Sequence, residues 1–274
     1  MSDTSPALAF IGAGNMARSI IGGLVQEGFP PERIRASDRN ADTLAQLASD
    51  FGIGTGDNHT LARESDVVIL AVKPQGMKAM AEDLQPALAH KPLLISIAAG
   101  IDGASLSRWL GEDQAIVRCM PNTPSLVKAG ASGLFANDHT SAEQRAIAET
   151  IMAAVGKVQW LPNEGLMDSV TAVSGSGPAY FFLVMEAMID AGVELGLERD
   201  AATELTLQTA LGAAQLAQSS DVGVDELRRR VMSPGGTTEV AIQSFEQDQL
   251  RETFKRAMTA CAERSATLAR ELGQ

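Results

Sequence analysis

The chain of 274 residues carries 34 acidic against 22 basic side chains, a net charge of −12, and only 4% aromatic residues. That balance argues against a nucleic-acid partner, which needs a basic face and stacking rings. The length allows a large core divided between two domains. The two cysteines, Cys119 and Cys261, have neither CxxC spacing nor nearby histidines, so the expectation is no metal site, no disulfide framework and reduced thiols in the cytoplasm.

Met1-Ser2-Asp3-Thr4-Ser5 has no basic region ahead of an apolar run, and no signal peptide is expected. No stretch approaches ~20 uninterrupted apolar residues, so no membrane span is expected either. Ala7-Leu8-Ala9-Phe10-Ile11 is a short apolar run followed directly by glycine and reads as a buried strand. Met16 to Glu27 has helical spacing, with Ile20, Ile21, Leu24 and Val25 on one side. Ile34 to Ser37 is a further strand, and Ala41 to Asp50 a helix with Leu44, Leu47 and Ala48 inward. Val67 to Val72 is a strand apolar at every position, and Leu93 to Ile97 is another. Strands apolar on both faces with helices between them predict a parallel sheet covered on each side, an α/β doubly wound plan of Rossmann type. Ala115 to Cys119 and Gly133 to Ala136 add strands. Thr140 to Glu143 has the T-x-x-E form of a capping box before a helix through Ala154, and Lys157 to Trp160 is the last strand.

Leu161-Pro162-Asn163-Glu164-Gly165 is then a turn and the expected boundary, giving a dinucleotide-binding domain over 1–162 and a smaller all-helical domain over 163–274. Beyond it Pro178 to Leu195, Asp200 to Ala217 and Leu250 to Leu272 read as helices. The first carries its charges, Glu186, Asp190 and Glu194, in one narrow stripe four residues apart. A helix apolar around nearly all its circumference must be buried nearly all round, so a second subunit is expected to cover this helix and the next.

Gly12-Ala13-Gly14-Asn15-Met16-Ala17 follows the first strand and opens a helix, the G-x-G-x-x-G/A form of a dinucleotide fingerprint. Gly12 permits a tight turn, Gly14 lets a pyrophosphate approach the backbone, and Ala17 lets the helix sit close to the sheet. Ser37-Asp38-Arg39-Asn40 ends the next strand, where cofactor choice is made. Ser37, Arg39 and Asn40 suit the 2′-phosphate of NADP, and Asp38 suits the free hydroxyl of NAD. NADP is the preferred reading, with NAD left open. Asn58 is assigned to the adenosine side. Val72-Lys73-Pro74 ends an apolar strand, where ligands of such sheets sit. Lys73 is open to three readings: a backbone contact to cofactor, a solvated charge, or a catalytic group. Ala98-Ala99-Gly100 ends the next strand with small residues, which either leave room for a nicotinamide ring or serve close packing of a loop. The cofactor set is therefore Gly12, Gly14, Asn15, Met16, Ser37, Arg39, Asn58, Val72, Lys73, Pro74, Ala98, Ala99 and Gly100. Near the other end, Ser233-Pro234-Gly235-Gly236-Thr237-Thr238 places two glycines and two hydroxyls at a helix start, which favours a small carboxylate. No Ser/His/Asp triad is readable. His59, His90 and His139 lie in polar loop-like segments, expected at the surface. The lack of a proton-transfer histidine fits a substrate that already carries its proton, such as an iminium.

These motifs, together with Arg118-Cys119-Met120-Pro121-Asn122-Thr123-Pro124 and Ala172-Val173-Ser174-Gly175-Ser176-Gly177-Pro178-Ala179-Tyr180, resemble the pyrroline-5-carboxylate reductase family over nearly the whole chain. The resemblance implies a Rossmann domain followed by an all-α dimerisation domain, with dimers that often assemble into decamers. It implies reduction of (S)-1-pyrroline-5-carboxylate to L-proline by NADPH or NADH. Ser233, Gly235, Gly236, Thr237 and Thr238 would hold the carboxylate, Thr238 would hydrogen-bond the ring nitrogen as the catalytic residue, and Glu164 would lie near the bound ring. The chain departs from the pattern before the substrate loop, where members often have His-Pro and this sequence reads Asp221-Val222-Gly223-Val224-Asp225-Glu226-Leu227.

Other readings share parts of these features. A hydroxy-acid dehydrogenase of the same plan should carry a lysine on the helix after the boundary, and Leu166 to Leu195 contains none. An F420-linked reductase and a nucleotide-sensing module without turnover are the remaining alternatives. A sensor has no need of the loop from Ser233 to Thr238.

Overall fold

The computed structural model describes residues 5–273. The reading of Met1 to Thr4 lies outside them. The chain divides into two compact units, Met1–Ser176 with Cys261–Gln274, and Gly177–Ala260.

The first unit is an eight-stranded sheet. In chain order its elements are β1 (Leu8–Ile11), α1 (Asn15–Gln26), β2 (Ile34–Ser37), α2 (Ala41–Phe51), β3 (Gly54–Thr55), α3 (Asn58–Arg63), β4 (Val67–Leu70) and α4 (Pro74–Leu84). They continue as β5 (Leu93–Ser96), α5 (Gly103–Leu110), β6 (Ile116–Met120), β7 (Gly130–Ala136), α6 (Ala142–Ala153), β8 (Gly156–Trp160) and α7 (Met167–Val170). The strand order is β3-β2-β1-β4-β5-β6-β7-β8. The central strands are apolar on both faces because alternate residues feed separate cores. Leu8, Phe10, Val67 and Ile69 join Ile20, Ile21 and Leu24 of α1 on one face. Ala9, Ile11, Val68 and Leu70 join Met77 and Leu84 of α4 and Leu106 of α5 on the other.

Several expectations are corrected in detail. The sheet is parallel from β3 to β6, but β7 runs antiparallel to β6, and β8 is parallel to β7. The link from β6 to β7 contains one tight helical turn, Thr123–Val127, and a left-handed Lys128 at φ 57°. It is too short for a crossover helix, so the chain must double back. The capping box of α6 sits one residue later than read. Ser141 accepts from the Gln144 amide, and the Gln144 side chain accepts in return from the Ser141 amide. Thr140 instead turns inward and donates to the Ile116 carbonyl. The two-residue β3 and the helices α3, α4 and α5 are additions to the sequence reading.

The expected boundary at residues 162/163 is not where compactness divides the chain. The segment after β8 stays with the sheet: Met167 and Ala172 are buried, and Val170 fills the space a side chain at Gly133 would need. This segment ends in a π turn, Thr171–Gly175.

The second unit is helical, with α8 (Gly177–Glu194), α9 (Arg199–Ser219), α10 (Val224–Val231), α11 (Thr237–Gln247) and the first half of α12 (Leu250–Leu272). Its surface carries Phe181, Phe182 and Leu183, each at least 63% exposed, together with Leu205, Leu207, Leu211 and Leu216. The helical stretch Glu164–Glu194 is, by length and composition alone, apolar enough to cross a membrane. Its last three turns bear Glu186, Asp190 and Glu194, which are costly in a bilayer, and Asp190 is paired with Arg199 at 2.9 Å. An apolar surface of this size on one chain marks an association face.

Candidate functional site

The cofactor residues predicted from sequence gather at the C-terminal ends of β1, β2, β4 and β5. The strand order reverses between β1 and β4, the place where open α/β sheets bind nucleotides. Gly12 has φ 108°, and a Cβ there would meet the Ala71 carbonyl oxygen at 2.6 Å. Only glycine allows the turn and the close passage past β4. Gly14 is the opposite case. A Cβ there would have nothing within 4 Å, so the backbone lies open for a diphosphate. Gly14 caps α1 without a side-chain hydrogen bond, and the first turn holds no acid. The amides at Asn15 and Met16 thus face outward at a positive helix end, while Ala17 is buried against the sheet.

At the end of β2 the structure sorts the two signs. The carboxylate of Asp38 accepts from the Ala13 amide at 2.7 Å and from the Asn40 amide at 2.8 Å. It braces the fingerprint loop and is engaged on backbone. Asn40 caps α2 by accepting from the Thr43 amide. The Arg39 guanidinium is exposed and makes no ion pair among the described residues. Buried Ser37 donates to Asn58 Oδ1 at 2.6 Å, which leaves the Asn58 amide nitrogen as a donor. Ser37 and Asn58, read separately from sequence, are thereby brought together, and Arg39 belongs to the same β2 end. A free cation and the Asn58 amide donor beside an engaged acid fit a phosphorylated ribose. Together with the open Gly14 backbone, these residues fit NADP.

Lys73 is exposed and caps α4 through its backbone, with Pro74 as the first helical residue. Val72 is half-buried beside it. Ala98 is buried and Ala99 exposed. Gly100 is left-handed at φ 69°, and Leu268 lies 3.3 Å from where its Cβ would be, so its smallness serves packing against α12.

Glu164 lies in the segment just after β8. Its Oε1 accepts from Arg118 Nη1 and from the Gly103 amide, both at 2.6 Å. Arg118 was not read as functional from sequence, although an arginine inside the apolar run Ile116–Met120 demands a counter-charge and that demand is a usable signal. Asn122 is a second such residue. It donates to the Ser174 carbonyl at 3.0 Å and accepts from the Ala131 amide at 2.9 Å.

In the helical unit, Ser233 to Gly236 form a turn. The Gly236 amide donates to the Ser233 carbonyl at 2.9 Å, Gly235 has φ 69°, and Gly236 caps α11 with no side-chain hydrogen bond. Thr237 is exposed and Thr238 half-buried. The Gly235 amide donates to Glu239 Oε2 at 2.7 Å, so a carboxylate from the chain itself already occupies this anion-favouring turn. Two open grooves of about 270 and 410 Å³ lie elsewhere in this unit, between α8 and α9 and along α11 and α12. Both flank the exposed apolar helices and neither includes the Ser233–Thr238 turn.

His90 and His139 are exposed, whereas His59 is half-buried with its ring 3.0 Å from Asp83. Burial pushes the Cys119 thiol up to about 12, which makes it an inert core group.

Fold and fingerprint define the class, a Rossmann-type dinucleotide-dependent oxidoreductase with a helical C-terminal region. A family profile described as pyrroline-5-carboxylate reductase dimerisation matches residues 164–268, and one described as NADP oxidoreductase, coenzyme F420-dependent, matches residues 7–100. A pyrroline-5-carboxylate reductase of Pseudomonas aeruginosa is 55% identical, covering 99% of this chain and 100% of that one. Its counterpart in Glycine max is 40% identical over 96% of both chains. The solved pyrroline-5-carboxylate reductase of Coxiella burnetii superposes with a TM-score of 0.94 at 46% identity, covering 97% of this chain and 99% of that one. That of Plasmodium falciparum, solved with NADP bound, superposes with a TM-score of 0.85 at 31% identity, covering 97% and 98%. The chain belongs to the pyrroline-5-carboxylate reductase family.

Proposed function

We propose that the chain reduces the C=N bond of (S)-1-pyrroline-5-carboxylate to form L-proline, the last step of proline biosynthesis, with NADPH as the preferred donor and NADH as a weaker one. The observation that carries this reading is full-length similarity to named reductases in a chain that keeps both the Gly12–Ala17 fingerprint and the Ser233–Thr238 turn. The bound nicotinamide supplies the hydride. Asn15 and Met16 hold the diphosphate through backbone amides. Ser37, Arg39 and Asn58 hold the adenosine end, and Val72, Lys73 and Pro74 line the path toward Ala98, Ala99 and Gly100. The turn from Ser233 through Gly235, Gly236 and Thr237 takes the substrate carboxylate, for which the Glu239 side chain must leave the Gly235 amide. The Thr238 hydroxyl orients the ring nitrogen and holds the water that relays its proton. Positioning of this kind contributes ~7–11 kcal/mol.

The working form is a cytoplasmic homodimer, with decamers as a further assembly. In function, residues 1–162 serve as the dinucleotide domain and 163–274 carry the substrate turn and the dimerisation helices, although by compactness 163–176 and 261–274 stay with the sheet unit. The F420-linked reading draws support only from the match over residues 7–100, while the full-length relatives favour the imine reductase. NADPH oxidation with pyrroline-5-carboxylate, compared with keto acids and with L-proline detected as product, tests the proposal. Turnover with a keto acid and none with the imine overturns it.

A further inference from the structure

The Arg118–Pro124 motif has no assigned role in the proposed reaction. Within the sheet unit it is fitted to the segment after β8 at three points. Arg118 donates to Glu164, Met120 Cε lies 2.5 Å from where a Cβ at Gly175 would be, and Asn122 donates to the Ser174 carbonyl. The Arg118–Glu164 contact reaches furthest. Arg118 is 9% exposed, and a guanidinium so buried needs an anionic partner. Glu164 Oε1 answers it and at the same time takes the first amide of α5. Asp102, the N-cap of α5, takes the Ser105 amide instead. The two acids thus each take one of the unpaired donors at the same helix start. Gly103 makes this possible. A Cβ there would sit 3.0 Å from Glu164 Oε1 and 3.2 Å from Oε2.

The loop from Ala98 to Asp102 is consequently held at both ends. The Ile97 amide donates to the Leu70 carbonyl at 3.2 Å, Ile101 is fully buried, and Gly103 is anchored on Glu164. We propose that Arg118 and Glu164 form a positioning pair that fixes the Ala98–Gly100 loop at the nicotinamide end of the cofactor path, and that Glu164 acts through this brace without touching substrate. This rests on the proposed assignment of that loop to the nicotinamide.

Glu164→Gln and Arg118→Met, singly and together, are compared with wild type well below their melting temperatures. Each single variant is expected to lower kcat at least roughly tenfold, since a small misplacement far from the chemistry is enough. The KM for pyrroline-5-carboxylate and the affinity for the 2′-phosphorylated ADP-ribose fragment should stay within about twofold, and the double variant should be no slower than either single one, as expected of residues acting as a unit. A rise in imine KM confined to the Glu164 variants, multiplying with the Arg118 effect, would make Glu164 a substrate ligand and overturn the pair. Unchanged kcat in a variant with lowered melting temperature would reduce it to a structural contact. Should Arg118→Met not fold, Arg118→Lys, which keeps the charge and loses the fork, is read the same way. Amide exchange at Gly103 is an independent readout, expected to speed up in Glu164→Gln. If wild type shows no imine turnover, the reductase reading fails, and Gly103 exchange with the fluorescence of bound NADPH in Glu164→Gln still decides the brace.

Discussion

The sheet unit and the helical unit meet the demand for burial in different ways. Strands β1, β4 and β5 are covered on both faces by helices of the same chain, and no side chain of β1 or β4 is more than 1% exposed. In α8 and α9, side chains as large as Phe181 and Leu205 stay more than half exposed. One unit closes its core within a single chain, and the other needs a second copy to do so. The proposed cofactor platform lies in the unit that closes its own core, and the proposed substrate turn lies in the unit whose helices stay exposed.

The difference can be broken most forcefully at α8. Phe182→Glu places an unpaired charge in the proposed interface, where such burial costs about 3–5 kcal/mol. Sedimentation should show dissociation, with imine reduction lost and NADP binding retained. Gly12→Ala attacks the sheet unit alone. Forcing a side chain into its turn costs of order 1–3 kcal/mol, so cofactor affinity should fall roughly tenfold or more by titration, with the assembly unchanged. Thr238→Ala in the helical unit should lower kcat by about tenfold, the worth of one hydrogen bond to a charged group, and leave cofactor affinity intact. An equal fall in cofactor affinity would count against the role given to Thr238. Arg39→Ala sharpens the assignment at β2. The KM for NADPH should rise by roughly tenfold, since a charge-assisted bond is lost, with that for NADH unmoved.

The smallest effect concerns Cys119. Burial raises its thiol from 9.0 to about 12 in the folded chain. Between those values only the unfolded chain releases the proton, so this group's stability contribution is intact below pH 9 and declines as pH rises toward 12. Urea midpoints measured across that range should lose part of their slope in Cys119→Ala.

The legible parts of the fold were those where burial writes itself into composition. Val67-Val68-Ile69-Leu70 is apolar at every position because both faces are covered, and Ile20, Ile21 and Leu24 share one side of α1 for the same reason. Strand direction leaves no such trace, so the antiparallel β7 was not readable. Thr140 and Ser141 both suit a helix cap, and tertiary contact with the Ile116 carbonyl decided between them. At the site, the turn geometry of Gly12 and Gly14 was readable because a strand-turn-helix context dictates it, whereas the Ser37–Asn58 hydrogen bond that joins two residues proposed for the adenosine end is a matter of tertiary geometry. The Arg118–Glu164 contact joins residues 46 positions apart, and only the single arginine in an apolar strand hinted that a partner existed. Asp38 was readable as an acid at a strand end, but its engagement with the Ala13 amide is a matter of geometry.

The most direct measurement follows imine reduction and NADP binding together as the chain is diluted through its association constant. The account predicts that specific activity with pyrroline-5-carboxylate falls in step with the fraction of associated chains while cofactor affinity per chain holds constant. A dissociated chain that still forms proline at full rate would contradict it.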